Sequence, residues 1–262
     1  MNRIAISILS LSLIFLGTSL GSASSFLFRK GMGKRASAIV LGFAGGIMIS
    51  ASFFGLLNPA IASGEEVSSL YAGLSVVIGF LLGGALLYLM DKFIPHIHPA
   101  SEQEEGRNSK ASRSWKLMSA VTIHNIPEGL AVGFACGMAL KGDDPALGIA
   151  ALSLAIGIAI QNVPEGAAVS LTIQEGGKGK WASFLYGVLS GAVEPIAGIL
   201  GLFIASYLSV ALPWLLSFAA GAMIYVTVDE LLPTLKEEEH NHFGLWAFMI
   251  GFALMMCLEL FL

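Results

Sequence analysis

The amino-acid sequence predicts an all-α polytopic membrane protein: eight transmembrane helices in a 3+2+3 inverted repeat, the first three and the last three packed around a central pair. Three observations lead there. Of 262 residues, 55% are hydrophobic and only 12% charged, with mean hydropathy +0.78, whereas a soluble domain is about a quarter charged. The few charges cluster and leave apolar runs long enough to cross a bilayer. A stretch near the N-terminus also matches one near the C-terminus, although the two cross the membrane in opposite directions.

Eight runs qualify as helices α1–α8: roughly 4–28, 36–62, 70–94, 116–140, 146–173, 181–208, 211–233 and 243–262. Each is near or above the ~20 residues a spanning helix needs, and none alternates like a barrel strand. In α1, Arg3, an apolar core and "GSASS" also fit a cleavable signal peptide. Its apolar character runs on to Phe28 and the repeat requires the segment, so it is read as a retained helix. Cys136 and Cys257 both lie inside apolar runs and form no disulfide framework. A net charge of −4 gives no reason to expect nucleic acid as a partner.

Lysine and arginine set the orientation. With the N-terminus outside, the inner loops hold twelve of these residues and the outer side only Arg3 and Lys141. By the positive-inside rule both termini then face away from the cytoplasm, in a multi-pass protein of the cell (inner) membrane. Residues 1–262 form one transmembrane domain, with a flexible cytoplasmic loop at about 95–115, "HIHPASEQEEGRNSKASR".

The repeat is read from paired segments. "FAGGIMISASFFGLL" (43–57, α2) and "FAAGAMIYVTVDELL" (218–232, α7) agree at seven of fifteen positions without a gap. Helices α4 and α5 carry "HNIPEG" and "QNVPEG" 37 residues apart and run antiparallel. Both α1 (Gly17, Gly21) and α6 (Gly187, Gly191) contain GxxxG, and α3 and α8 share a weaker "GL…GF". Inverted repeats are typical of secondary transporters, whose substrate sites lie at the midplane on broken helices. The 31 glycines fit closely approaching membrane helices.

The central motifs are costly. Four residues rotate a helix by a net ~40°, so His124 and Glu128 share a face, as do Gln161 and Glu165. Asn125 and Asn162 lie one step round. Pro127 and Pro164 cannot donate to the carbonyls of Ile123 and Ile160, which predicts kinks with spare backbone oxygens, while Gly129 and Gly166 would let the two kinks pack together. Helix α6 adds Glu194 before Pro195. A carboxylate at the bilayer centre costs ~2.5–3.5 kcal/mol even on the lenient insertion scale, so bound dications or protons must offset the cluster. One imidazole, three carboxylates and several amide oxygens suit Zn²⁺, Fe²⁺ or Mn²⁺. The plainer reading is interhelical hydrogen bonding. It does not explain why the buried charge converges on α4, α5 and α6.

The double motif resembles the ZIP family of divalent metal permeases, in particular its bacterial GufA-like branch, over essentially the whole chain. That resemblance implies movement of Zn²⁺ and related ions (Fe²⁺, Mn²⁺, Co²⁺, Cd²⁺) into the cytoplasm as substrates rather than cofactors. It also implies a site between α4 and α5 holding up to two metals, and commonly a homodimer. Residue by residue, it makes His124, Glu128, Gln161 and Glu165 ligands of a first metal, with Met48 as a soft ligand. Asn125, Asn162 and Glu194 would complete a second site, bridged by Glu128 and Glu165. This chain departs from many relatives at Gln161, where they have His, and from some at Asn162, where they have Asp.

Asp91, His96 and His98 just beyond α3, joined by Asp229 or Glu230 at the inner end of α7, read as a transient exit site. "KEEEHNH" (236–242) reads as a solvated loop. The competing function is an intramembrane metal-dependent hydrolase. Such an enzyme needs a second imidazole on the helix face, as in H-E-x-x-H, and α4 reads H-N-x-P-E.

Overall fold

The structure is a computed structural model that describes residues 2–28, 33–97, 104–107, 109–235 and 242–261. Eight long helices account for nearly all of them: α1 Arg3–Leu27, α2 Arg35–Glu65, α3 Ser69–Phe93, α4 Arg113–Lys141, α5 Ala146–Glu175, α6 Lys180–Tyr207, α7 Leu212–Leu231 and α8 Phe243–Phe261. Seven are long and apolar enough to cross a membrane. The eighth, α4, is as long but carries the polar motif, and it is buried along most of its length. The chain is a polytopic membrane protein whose helices follow the eight runs to within a few residues.

Local chemistry sets the ends. Asn2, Ser68 and Ser112 cap α1, α3 and α4 by accepting from the backbone N–H of Ile4, Tyr71 and Trp115, which satisfies donors a helix start leaves unpaired. Helix α6 breaks at Ala192, where Pro195 offers no N–H to the Gly191 carbonyl four residues back. Between α3 and α4, two-residue strands β1 (His96–Ile97) and β2 (Glu104–Glu105) pair antiparallel, His96 opposite Glu105. His98 lies outside the described residues.

The most extensive packing is pairwise: α1 along α5, α4 along α6, α2 along α8 and α3 along α7. Glycines line these seams, and two of them mirror each other. Gly46 lies on the Phe248 carbonyl and Gly251 on that of Phe43; likewise Gly221 lies on the Phe80 carbonyl and Gly83 on that of Phe218. A methyl group at any of the four would collide with that carbonyl, so the backbones can approach this closely only where the residue is glycine. Where sequence pairs Gly46 with Gly221 and Phe43 with Phe218, the two seams use the matched residues in matched roles.

Two expectations change. Gly129 and Gly166 do not bring the α4 and α5 motifs against each other: Gly129 packs on the Glu194 carbonyl in α6, and Gly166 on the Thr18 carbonyl in α1. The two GxxxG motifs also meet different partners. Gly17 and Gly21 pack on Ala159 and Val163 of α5, whereas Gly187 and Gly191 pack on Ser22 and Thr18 of α1. In these seams Thr18, and not a GxxxG glycine, stands where Glu194 stands.

Helices α2 and α7 both widen into π-helical turns, at Ala51–Leu57 and Thr227–Leu231, within the matched segments. Each ends within two residues of a proline, Pro59 or Pro233, whose missing N–H disturbs the α ladder. Such turns recur at functional sites. Sequence offered no sign of them.

Candidate metal centre

Helices α4 and α5 run unbroken through Pro127 and Pro164, so the i, i+4 spacing holds and each presents its polar residues inward. His124, Asn125, Glu128, Gln161, Asn162, Glu165 and Glu194 are all buried. Because the helices are antiparallel, Glu128 meets the turn of Gln161, and His124 the turn of Glu165. Gln161 Nε2 donates to Glu128 Oε1 at 3.1 Å. His124 and Glu230 both lie near Glu165.

The inner end of this line reaches α7. His124 Nδ1 is 3.2 Å from Glu230 Oε2, so Glu230 directly contacts the central ladder. Beyond it, Asp91 lies within electrostatic reach of His124, Glu230, Asp229 and His96. His96 Nε2 is 3.7 Å from Asp91 Oδ1, and its Nδ1 is 2.8 Å from the Ile94 carbonyl. Acids and imidazoles thus succeed one another from Glu128 to His96.

Glu194 is held differently. Thr18 Oγ1 donates to its Oε1 at 2.5 Å, Asn125 Nδ2 to the same oxygen at 3.0 Å, and Asn162 Nδ2 to Oε2 at 2.7 Å. The amide nitrogens also donate to the backbone, Asn125 to Ser190 O at 3.1 Å and Asn162 to Ile14 O at 3.2 Å. Both neighbours of each nitrogen are acceptors, which fixes the amide orientation. The asparagine oxygens therefore point away from Glu194.

Five buried oxygens of this cluster have no donor: Asn125 Oδ1, Glu128 Oε2, Gln161 Oε1, Asn162 Oδ1 and Glu165 Oε2. Orphaned buried acceptors are rare and expensive in native proteins. Acceptors without donors are the complement of a cation, and three amide and two carboxylate oxygens beside one imidazole suit a borderline divalent ion. Among the described residues, no three His, Cys, Asp or Glu side chains form a ready-made cage. Oxygen ligands here would have to include amides.

Met48 is buried, and its sulfur lies 3.7 Å from Thr227 Oγ1. Ser52 and Thr227 bond the carbonyls of Met48 and Met223 in the same way, each at 2.8 Å. Thr18 was not legible as a site residue. A threonine in an apolar helix ordinarily bonds the carbonyl four residues back, and no spacing rule links it to Glu194.

A buried line of acids, amides and imidazole between membrane-crossing helices is the chemistry that a membrane protein handling cations requires. Residues 100–259 match the family model Zip, described as ZIP Zinc transporter. The chain is 33% identical to the zinc transporter ZIP11 of Homo sapiens, over 92% of this chain and 93% of that protein. It is 33% identical to the zinc transporter GufA of Myxococcus xanthus, over 93% and 94% of the two chains. Identity to the zinc transporter ZIPB of Bordetella bronchiseptica is 35%, over 94% of this chain and 77% of that one. The chain belongs to the ZIP family, whose members are transporters and not enzymes.

Proposed function

We propose that this protein imports divalent transition-metal ions, Zn²⁺ foremost and Fe²⁺, Mn²⁺, Co²⁺ or Cd²⁺ as related cargo, across the cell membrane through the line between α4, α5 and α6. The observation that carries the reading is the set of five donor-less buried oxygens. In the orientation set by the Lys/Arg split, Glu128 and Gln161 lie toward the outside and His124 and Glu165 toward the cytoplasm. An arriving ion exchanges water for Glu128 and the amide oxygens, then passes to Glu165 and His124. Glu230, Asp91 and His96 receive it at the inner end, where water resumes its coordination. Each transfer replaces one oxygen or imidazole ligand by another, so the ion is never stripped in a low-dielectric interior.

The 3+2+3 inverted repeat belongs to this proposal. Matched glycine seams in α2–α8 and α3–α7 support it, as do the π turns in α2 and α7. So does the pairing of Asn125 with Ser190 O and Asn162 with Ile14 O. A repeat of this kind places a single site between two similar halves. The deciding experiment is uptake by proteoliposomes holding the purified chain, with a panel of divalent ions in competition. Saturable Zn²⁺ uptake that other transition metals inhibit and Mg²⁺ does not is the expected result. Vesicles no more permeable to Zn²⁺ than protein-free ones would refute the proposal.

A further inference from the structure

Glu194 differs from the other two carboxylates of the centre. Glu128 and Glu165 each keep an oxygen with no donor, whereas both oxygens of Glu194 are engaged. A carboxylate offers about four lone-pair sites, and three are taken by donors from three different helices. Oε1 takes two of those donors, so an ion can be ligated on that oxygen only when one of them leaves. The asparagine amides are anchored by their second bonds to Ser190 O and Ile14 O. Thr18 is the movable one: a hydroxyl turns about a single bond, and the Ile14 carbonyl stands 3.5 Å away as its alternative acceptor.

We propose that Thr18 is a positioning residue that controls whether Glu194 Oε1 can bind metal, and so how tightly the centre holds a second ion. This inference rests on the proposed metal site. With the hydroxyl on Glu194, the open oxygens of Glu128, Gln161 and Glu165 hold one ion. When the hydroxyl turns to Ile14 O, Glu194 Oε1 is released and can bind a second ion together with the shared carboxylates. The bland alternative is a staple holding α1 to α6, and a staple would not alter how tightly a second ion binds.

The test is Zn²⁺ binding to the full chain in lipid nanodiscs, followed by calorimetry. Wild type should bind one Zn²⁺ tightly and a second at least about tenfold more weakly, because a hydrogen bond to a charged group is worth about ten- to a hundredfold in affinity. Thr18→Val keeps the shape and removes the hydroxyl, so the second ion should tighten by that factor. Thr18→Ser should restore the wild-type ratio, and Glu194→Gln added to Thr18→Val should abolish the second event. Equal second-ion affinity in wild type and Thr18→Val, to within twofold, would overturn the proposal while leaving the metal site standing. Two equal tight events in wild type would overturn it even if Thr18→Val did not fold. No saturable Zn²⁺ binding by wild type would overturn the metal site itself, and this inference with it.

Discussion

Glu128 and Glu165 occupy matching turns of antiparallel helices and share the Gln161 amide, while Glu165 also lies near the His124 imidazole. Removing one charge from such a buried set commonly costs about 3–5 kcal/mol. Glu128→Gln or Glu165→Gln should therefore weaken Zn²⁺ binding at least about a hundredfold. Carboxylates and imidazole coordinate in their deprotonated forms, so protons compete with the ion and affinity should fall as pH falls. Calorimetry in buffers of different ionisation enthalpy counts those protons: wild type should release them between acidic and neutral pH, and either variant fewer. No release at all would mean that the carboxylates are not the ligands. At the inner end, His96 and Glu230 should behave differently. His96→Ala should alter turnover and spare tight binding, whereas Glu230→Gln should weaken binding as well, because Glu230 touches His124. An unchanged affinity in Glu230→Gln would return that residue to the exit. The polar residues of α4 and α5 were legible because each stands out in an apolar run. The contact between Glu230 and His124 was not, because it joins helices more than a hundred residues apart in sequence.

Helices are held here by backbone contact at a few glycines, and this makes individual positions unequal. Gly83 and Gly73 lie on the same helix, but a methyl group at Gly83 strikes the Phe218 carbonyl while one at Gly73 meets nothing within 4 Å. Overpacking a tight contact costs about 1–3 kcal/mol, and in a chain of this size each kcal/mol is worth about 2–4 °C in the midpoint. Gly83→Ala should lower the thermal midpoint of the detergent-solubilised protein accordingly, and Gly221→Ala likewise. Gly73→Ala should leave it unchanged or raise it slightly, since alanine is the better helix former. A Gly73→Ala loss as large as that of Gly83→Ala would show that the α3–α7 seam is not what those glycines serve. Hydropathy was enough to find the eight helices, because length and apolarity are properties of a run. Register between helices was only partly visible. The α2–α7 match is dense, but the "GL…GF" match of α3 and α8 aligned the wrong glycines: the seams pair Phe80 with Phe248 and Gly83 with Gly251.

Direction of transport depends on which side of the membrane each end of the molecule faces. Contacts between distant segments sort the ends into two groups. Arg3 at the start of α1 donates to the Asp143 carbonyl in the α4–α5 loop at 2.8 Å, placing these on one side. Arg35 stacks on Phe243, joining the starts of α2 and α8, and Lys180 donates to Phe26 O, joining the start of α6 to the end of α1. Both of these pairs belong to the opposite side. That second side carries nearly all the lysine and arginine of the chain, and the positive-inside rule predicts that it is the cytoplasmic one. On the proposed reading the His124–Glu230–Asp91–His96 end of the polar line then opens inward, and a gradient from outside would drive import. Single cysteines at Ser109 and Asp144, placed in a chain whose Cys136 and Cys257 have been replaced, report the orientation directly. In intact cells a membrane-impermeant thiol reagent should label Asp144→Cys and spare Ser109→Cys until the cells are permeabilised. The reverse pattern would invert the molecule in the membrane and turn the proposed importer into an exporter, with its ligand ladder unaltered.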